Sequence, residues 1–204
     1  LFHTDKSSKE GAPGVVLVHQ YQQTKTQWDD VVEDLTSKGW RVLAIDLRGH
    51  GESDPQNGVL SKILNDPEQA PKDVEAAINW LKADGKADPE RIAIVGTSIG
   101  ANLACVANIM TWVKLSVALS PRDTAVANLA GNPPIEIAMK GLYCIAGAQD
   151  SGGDQAKSCE QFVMAASEPK KSVVLPATSA HGVAIITGFP EEWAAIVSWL
   201  EANL

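Results

Sequence analysis

The sequence predicts one α/β domain in which a mostly parallel sheet of about six or more strands carries helices on both faces. Short apolar runs alternate along the chain with stretches of helical periodicity, which is typical of such a sheet. A length of 204 residues and a hydrophobic content of 45% fit a single domain over residues 1–204. Because ligands bind beyond the carboxyl ends of parallel strands, functional residues are expected in the loops that follow the strands.

Six apolar runs are predicted strands. Continuous apolar segments of this length are typical of strands that are buried on both faces of a parallel sheet. The runs cover residues 14–19, 41–46, 92–95, 114–119, 142–147 and 172–175. The loops that follow them should share one edge of the sheet.

Helices are predicted between these strands. Thr26 is placed to cap a helix that continues to Leu35, and Pro71 suits the first turn of another. Further helices are predicted over residues 99–112, 154–166 and 190–202. The longest intervening stretches, 52–70 and 121–140, are too short for a separate cap domain, so we expect a minimal cap or none.

The segment around Ser98 is the most informative part of the sequence. A β-branched run ends at Gly96, Ser98 follows two residues later, and Gly100 opens a helix rich in Ala and Leu. A G-x-S-x-G pattern between a strand and a helix is typical of a nucleophile elbow, where glycines without Cβ atoms permit a sharp turn. The alternative is a glycine-flanked turn with no catalytic role. The flanking strand and helix favour Ser98 as a nucleophile.

A serine nucleophile requires a base, and an acid orients that base. Of the four histidines, only His181 comes after Ser98, and it follows the last predicted strand. Asp150 follows the fifth strand, which gives the order serine, acid, histidine. Asp123 after the fourth strand is the alternative acid, whereas Asp154 is predicted to be a helix N-cap.

An oxyanion intermediate also requires two preorganised N–H donors. The first is predicted at the backbone of Ile99, the residue after the nucleophile. The second is expected in the loop after the first strand, from the backbone of Tyr21 or of Gln20.

Together these motifs resemble the α/β-hydrolase superfamily, and within it the small, lid-poor serine esterases akin to dienelactone hydrolases. The resemblance extends from Gly11 to the last residue and rests on residues 16–19, 28, 44–53, 96–101, 119–121, 146–150 and 180–182. It implies the α/β-hydrolase fold, a triad of Ser98, Asp150 and His181, and backbone oxyanion donors at Ile99 and Tyr21.

The chain departs from the family pattern in three places. Gln20 stands where the family usually has glycine after the histidine of the first loop. Ser98 stands where dienelactone hydrolases have cysteine, so dienelactone itself is not the expected substrate. The family's antiparallel N-terminal strands are expected to be missing, with a shortened sheet edge near residues 1–2.

The predicted function is hydrolysis of a small carboxylic ester through an acyl-enzyme, with no metal or organic cofactor. A non-catalytic relative that binds a ligand or partner is the alternative. A nucleotide-binding domain is disfavoured because no glycine-rich phosphate loop follows the first strand.

Charge and hydropathy limit the partners. With 17 basic and 25 acidic residues the net charge is −8, and no basic cluster occurs, which argues against nucleic acid and anionic membranes. No apolar run approaches the roughly 20 residues of a membrane span, and no signal peptide is recognised in this chain. The cytoplasm is therefore favoured over secretion, and a monomer or homodimer is expected.

The three cysteines show no metal-binding spacing. Cys105 and Cys144 are expected to be small buried core residues. A disulfide between Cys144 and Cys159 is left open, and the odd number of cysteines leaves at least one free thiol.

Overall fold

The computed structural model describes residues 2–3, 9–131 and 139–204, and these form a seven-stranded sheet with helices packed against it. The strands are β1 (Phe2–His3), β2 (Gly14–Val18), β3 (Arg41–Ile45), β4 (Ile92–Thr97), β5 (Leu115–Leu119), β6 (Lys140–Gly147) and β7 (Ser167–Leu175). Their order across the sheet is β1-β3-β2-β4-β5-β6-β7. Only β1 is antiparallel to its neighbour, so the predicted mostly parallel sheet is confirmed.

Within the described residues, six α-helices lie in the connections between strands and two follow the last strand. These are α1 (Val32–Thr36), α2 (Leu60–Leu64), α3 (Ala70–Ala83), α4 (Ile99–Ile109), α5 (Asp123–Leu129), α6 (Asp154–Ala165), α7 (Val183–Gly188) and α8 (Pro190–Asn203). One short 3-10 helix covers Lys25–Trp28, and Asp150–Gly153 form a turn in which Ser151 and Gly152 have non-helical backbone angles. In the described part of the chain, no helix has the length and apolar character needed to cross a bilayer.

Two apolar cores lie on opposite faces of the sheet, because successive strand residues point to opposite sides. Val16 and Ile94 pack into one core together with residues of α3, α4 and α6. Their chain neighbours Val15 and Val95 pack into the other core with residues of α1 and α8. The central strands are therefore covered on both faces, as their continuous apolar sequences predict.

The prediction of one continuous helix from Thr26 to Leu35 is wrong, because the structure divides this segment into two short helices. Thr24, not Thr26, caps the first turn, which is a 3-10 helix that ends at Trp28. The regular helix α1 begins only at Val32. The intervening residues are two aspartates and a β-branched valine, which are weak helix formers.

Several other boundaries also differ from the prediction. The strand predicted from residue 172 begins five residues earlier, at Ser167, because β7 is the exposed edge strand and its first half is polar. The expected absence of N-terminal antiparallel strands is wrong for residues 2–3, which form β1 against β3. Helices α2, α5 and α7 were not predicted, and residues 132–138 of the stretch 121–140 lie outside the described residues.

Candidate active site

Ser98 lies in a strained turn between β4 and α4. Its φ of 53° and ψ of −112° are unfavourable for a residue with a side chain. The flanking glycines are required sterically, since a Cβ on Gly96 would overlap the carbonyl of Gly100 and a Cβ on Gly100 would overlap the carbonyl of Val18. The backbone N–H of Ser98 donates to the Leu119 carbonyl at 2.9 Å, which ties this turn to the end of β5.

The structure brings Ser98, His181 and Asp150 into one hydrogen-bonded chain. The Ser98 Oγ lies 2.8 Å from His181 Nε2, and His181 Nδ1 lies 2.9 Å from both carboxylate oxygens of Asp150. The carboxylate can only accept, so Nδ1 carries the proton and Nε2 is left to accept the serine hydroxyl. The Asp150 side chain is 3% exposed and the His181 side chain 37% exposed, so the acid is buried while the imidazole is open to solvent.

Asp150 is held on a sharply turning loop. The three residues after it, Ser151, Gly152 and Gly153, have φ values of 47°, 72° and 94°, so the chain reverses before α6 begins. A disulfide joins Cys144 of β6 to Cys159 of α6, one on each side of this loop. The bond that the sequence left open is thus present, and it encloses Asp150.

The alternative acid lies elsewhere. Asp123 is the first residue of α5, and its Oδ1 accepts the backbone N–H of Thr124 at 2.7 Å. Its own backbone N–H donates to the Ser158 hydroxyl at 3.1 Å. The predicted N-cap at Asp154 is displaced by one residue, because Gly153 is the N-cap and Asp154 lies in the first turn.

We call residues 19–23 the oxyanion loop. The Gln20 N–H donates to Gln27 Oε1 at 3.2 Å, which leaves Tyr21 as the better candidate donor of the two. The Gln20 carbonyl accepts from His19 Nδ1 at 2.7 Å and from the Gln23 N–H at 3.1 Å. Because a peptide unit is planar and trans, these contacts also set the direction of the Tyr21 N–H. Among the described residues, neither this N–H nor that of Ile99 has an acceptor.

His19 is fully buried beneath this loop. Its Nε2 accepts the Leu47 N–H at 3.0 Å, while its Nδ1–H donates to the Gln20 carbonyl. Burial lowers the pKa of His19 below the ordinary value, although the hydrogen bond to Gln20 opposes this. The imidazole is therefore neutral and connects two strand-end loops. His50 also contacts the oxyanion loop, since its Nε2 accepts the Gln22 N–H at 3.2 Å.

We call residues 178–183 the histidine loop. The Gly182 N–H donates to the Ser120 hydroxyl at 3.0 Å, and the Val183 N–H donates to Gln20 Oε1 at 2.9 Å. Sequence reasoning identified Gln20 as a departure from the family pattern but did not predict this contact. Ser120 was included in the resemblance with no role predicted for it, and Gln27 was not singled out at all, because no local pattern distinguishes them from other loop residues.

Metal chemistry has no obvious ligand set here. Within residues 2–3, 9–131 and 139–204, no group of three or more His, Cys, Asp or Glu side chains is arranged to hold an ion. The third cysteine, Cys105, is a free thiol in the core, where burial raises its pKa to about 12.

Comparison with known proteins places the chain among hydrolases. The family model described as serine aminopeptidase S33 matches residues 11–117, a segment that includes Ser98 but ends before Asp150 and His181. A stretch of 59 residues is 39% identical to a non-heme chloroperoxidase of Streptomyces lividans and covers 28% of this chain. That stretch spans only 21% of the length of the chloroperoxidase.

Solved structures share the fold over nearly the whole chain. An esterase of Pyrococcus furiosus is similar with a TM-score of 0.70 and 22% identity, over 95% of this chain and 82% of the esterase. A dienelactone hydrolase of Anabaena variabilis is similar with a TM-score of 0.74 and 17% identity, over 100% of this chain and 90% of the hydrolase.

Proposed function

We propose that the chain, which belongs to the serine aminopeptidase S33 family of α/β hydrolases, hydrolyses a small carboxylic ester. The reaction proceeds through an acyl-enzyme on Ser98. The observation that carries the proposal is the unbroken hydrogen-bonded chain from buried Asp150 through His181 to a serine in a strained elbow. Such a chain activates a hydroxyl that is otherwise a weak nucleophile.

In acylation, Ser98 Oγ attacks the ester carbonyl while its proton moves to His181 Nε2. Asp150 keeps the required tautomer and stabilises the imidazolium that forms. The tetrahedral oxyanion is stabilised by the N–H groups of Ile99 and Tyr21, both preorganised by the surrounding backbone. When the intermediate collapses, the alcohol departs with the proton from His181.

Deacylation repeats these steps with water. His181 takes a proton from the water as its oxygen attacks the acyl carbonyl. When the second tetrahedral intermediate collapses, His181 returns that proton to Ser98 Oγ. The carboxylic acid is released and the free enzyme is restored. Every group in this scheme belongs to the chain itself.

A small substrate is proposed because the two longest predicted insertions, 52–70 and 121–140, are short. In their described parts the complete helices are α2, with five residues, and α5, with seven. Ester cleavage is supported by the similarity in fold to the esterase of P. furiosus. Amide cleavage is the second candidate, since the family model is described as an aminopeptidase. The same triad and oxyanion donors would serve both reactions.

A substrate panel separates these candidates. We expect hydrolysis of p-nitrophenyl acetate and butyrate, and little hydrolysis of the corresponding long-chain esters or of aminoacyl p-nitroanilides. Ser98→Ala should abolish the activity, whereas the exposed-serine control Ser37→Ala should retain it. Ester hydrolysis that persists in Ser98→Ala would refute the proposal, and a preference for the anilides would favour the peptidase.

We also propose that the given residues form one domain, because a single sheet includes strands from Phe2 to Leu175. Limited proteolysis should release no stable fragment. The cytoplasmic preference inferred from the sequence is in tension with the disulfide, since such bonds persist in oxidising compartments and are rare in the cytosol. We therefore propose an oxidising location, which thiol trapping of Cys144 and Cys159 in cell fractions would test.

A further inference from the structure

We infer that Gln20, Gln27 and Thr97 form a positioning relay that fixes the elbow, the oxyanion loop and the histidine loop relative to one another. The inference rests on the proposed function, in which these three segments act together on one substrate. None of the three side chains is assigned a chemical step. Each acts through a neighbour.

The relay consists of three hydrogen bonds in series. Gln27 Nε2 donates to Thr97 Oγ1 at 2.9 Å, next to the nucleophile in sequence. Gln27 Oε1 accepts the Gln20 N–H at 3.2 Å, within the oxyanion loop. Gln20 Oε1 then accepts the Val183 N–H at 2.9 Å, two residues after His181. A carboxamide is needed at Gln27 because it must donate from one atom and accept at another.

The sheet cannot supply this connection by itself. The histidine loop follows β7 and the oxyanion loop follows β2, and three strands lie between β2 and β7 in the sheet order. The Gln20–Val183 contact joins residues 163 positions apart, and the Gln27–Thr97 contact joins residues 70 apart. The Gln20–Val183 contact therefore links the ends of β2 and β7, which no backbone ladder joins directly, whereas β2 and β4 are already paired in the sheet.

The fit between Gln20 and the histidine loop is close. A Cβ on Gly182 would overlap Gln20 Oε1, so the glutamine occupies the space that a larger residue beside His181 would need. On the other side, Ser120 Oγ accepts the Gly182 N–H at 3.0 Å. Two consecutive N–H groups after His181 are thus held by side chains, which fixes the backbone that carries the imidazole.

Matched substitutions at the two ends of the relay test it. Gln20→Met and Thr97→Val keep the approximate shape but remove the hydrogen bond, whereas Gln20→Glu and Thr97→Ser keep an acceptor. Because small displacements of catalytic groups cost up to about 100-fold, we expect Gln20→Met and Thr97→Val each to lower kcat about 10- to 100-fold. KM should stay within about twofold, since the lost contact acts on catalytic geometry rather than on substrate binding.

Gln20→Glu and Thr97→Ser should retain most of the wild-type kcat. The double variant Gln20→Met/Thr97→Val should lose less than the product of the two single effects, because both changes interrupt one network. Multiplicative losses, or equal losses in the Gln20→Met and Gln20→Glu variants, would overturn the relay.

Amide hydrogen exchange separates failure of the relay from failure of the proposed function. The Val183 N–H should exchange faster in Gln20→Met and Thr97→Val than in wild type, Gln20→Glu and Thr97→Ser, whether or not the protein hydrolyses esters. This pattern in an inactive wild type would sustain the relay and refute the proposed function. If the wild type is active and Gln20→Met changes neither kcat nor the exchange of the Val183 N–H, the proposed function stands and the relay is refuted.

Discussion

Replacement of Cys144 and Cys159 together by alanine removes the covalent bond between β6 and α6 on either side of Asp150. The bond spans a sequence separation of 15 residues. Chain-entropy arguments assign about 3 kcal/mol of stabilisation to a cross-link that closes a loop of this length. At about 2–4 °C per kcal/mol for a domain of this size, the melting temperature should fall by about 6–12 °C.

Part of the expected loss of stability comes from the removal of two buried sulfur atoms, and Cys105 provides the control for this part. It is a free cysteine in the same core, so Cys105→Ala reports the cost of truncation without a lost cross-link. Denaturant unfolding of both variants gives the free energy of unfolding and the m-value. The m-value should rise in the double variant only, because its unfolded chain exposes more surface.

The disulfide should also affect activity, because Asp150 lies inside the closed loop. We expect kcat to fall in the double variant and to stay unchanged in Cys105→Ala. The reasoning would be refuted if the double variant matched Cys105→Ala in free energy of unfolding and in m-value. In that case the loop would be held by packing and hydrogen bonds alone.

Three further predictions concern single residues. Asp150→Asn should lower kcat by about 10⁴-fold in steady-state assays, because the wrong imidazole tautomer is favoured. Asp123→Asn should change kcat by no more than about twofold. The opposite ranking would make Asp123, and not Asp150, the acid of the triad. In denaturant titrations, Gly100→Ala should lower the free energy of unfolding by about 1–3 kcal/mol or more, because its Cβ would overlap the Val18 carbonyl. Gly188→Ala should leave the free energy of unfolding nearly unchanged, because the space around its Cβ is open. Equal losses of stability in the two variants would contradict this steric explanation. Burial lowers the pKa of His19 below 6.5, so as the pH falls the unfolded state takes up this proton before the folded state does. The contribution of His19 to the free energy of unfolding is therefore complete above pH 6.5 and declines below it. A His19→Gln variant whose free energy of unfolding keeps the same dependence on pH would refute this.

The candidate site was largely predictable because its residues follow strand ends in a fixed chain order. Ser98, Asp150 and His181 each come after an apolar run, and the structure brings them within hydrogen-bond distance. Tyr21 and Ile99 were also predictable as positions, since they contribute backbone groups. Their role as oxyanion donors stays a proposal.

The relay was not predictable, because its contacts join distant parts of the chain. Gln20 was singled out as a missing glycine and as an alternative backbone oxyanion donor. Nothing local indicates that its side-chain oxygen accepts the Val183 N–H. Similarly, the sequence indicated Thr26 as the cap of the first helix. Only the structure shows that Thr24 caps the turn that ends at buried Trp28.

The edges of the sheet were predicted less well than its centre. Central strands such as β2 are apolar along their whole length because both faces are covered. The edge strand β7 is exposed over much of its length, so its first residues resemble a loop. Strand β1 has two residues, too few for any periodicity.

Reaction with a fluorophosphonate, followed by peptide mapping, is the direct test of whether Ser98 is an activated nucleophile. We predict a single covalent adduct, located on Ser98, that disappears in Ser98→Ala, is strongly reduced in His181→Ala and persists in Ser37→Ala. Absence of an adduct at Ser98 in folded wild-type protein would contradict this role of Ser98 and favour a non-catalytic member of the family that binds a ligand or partner.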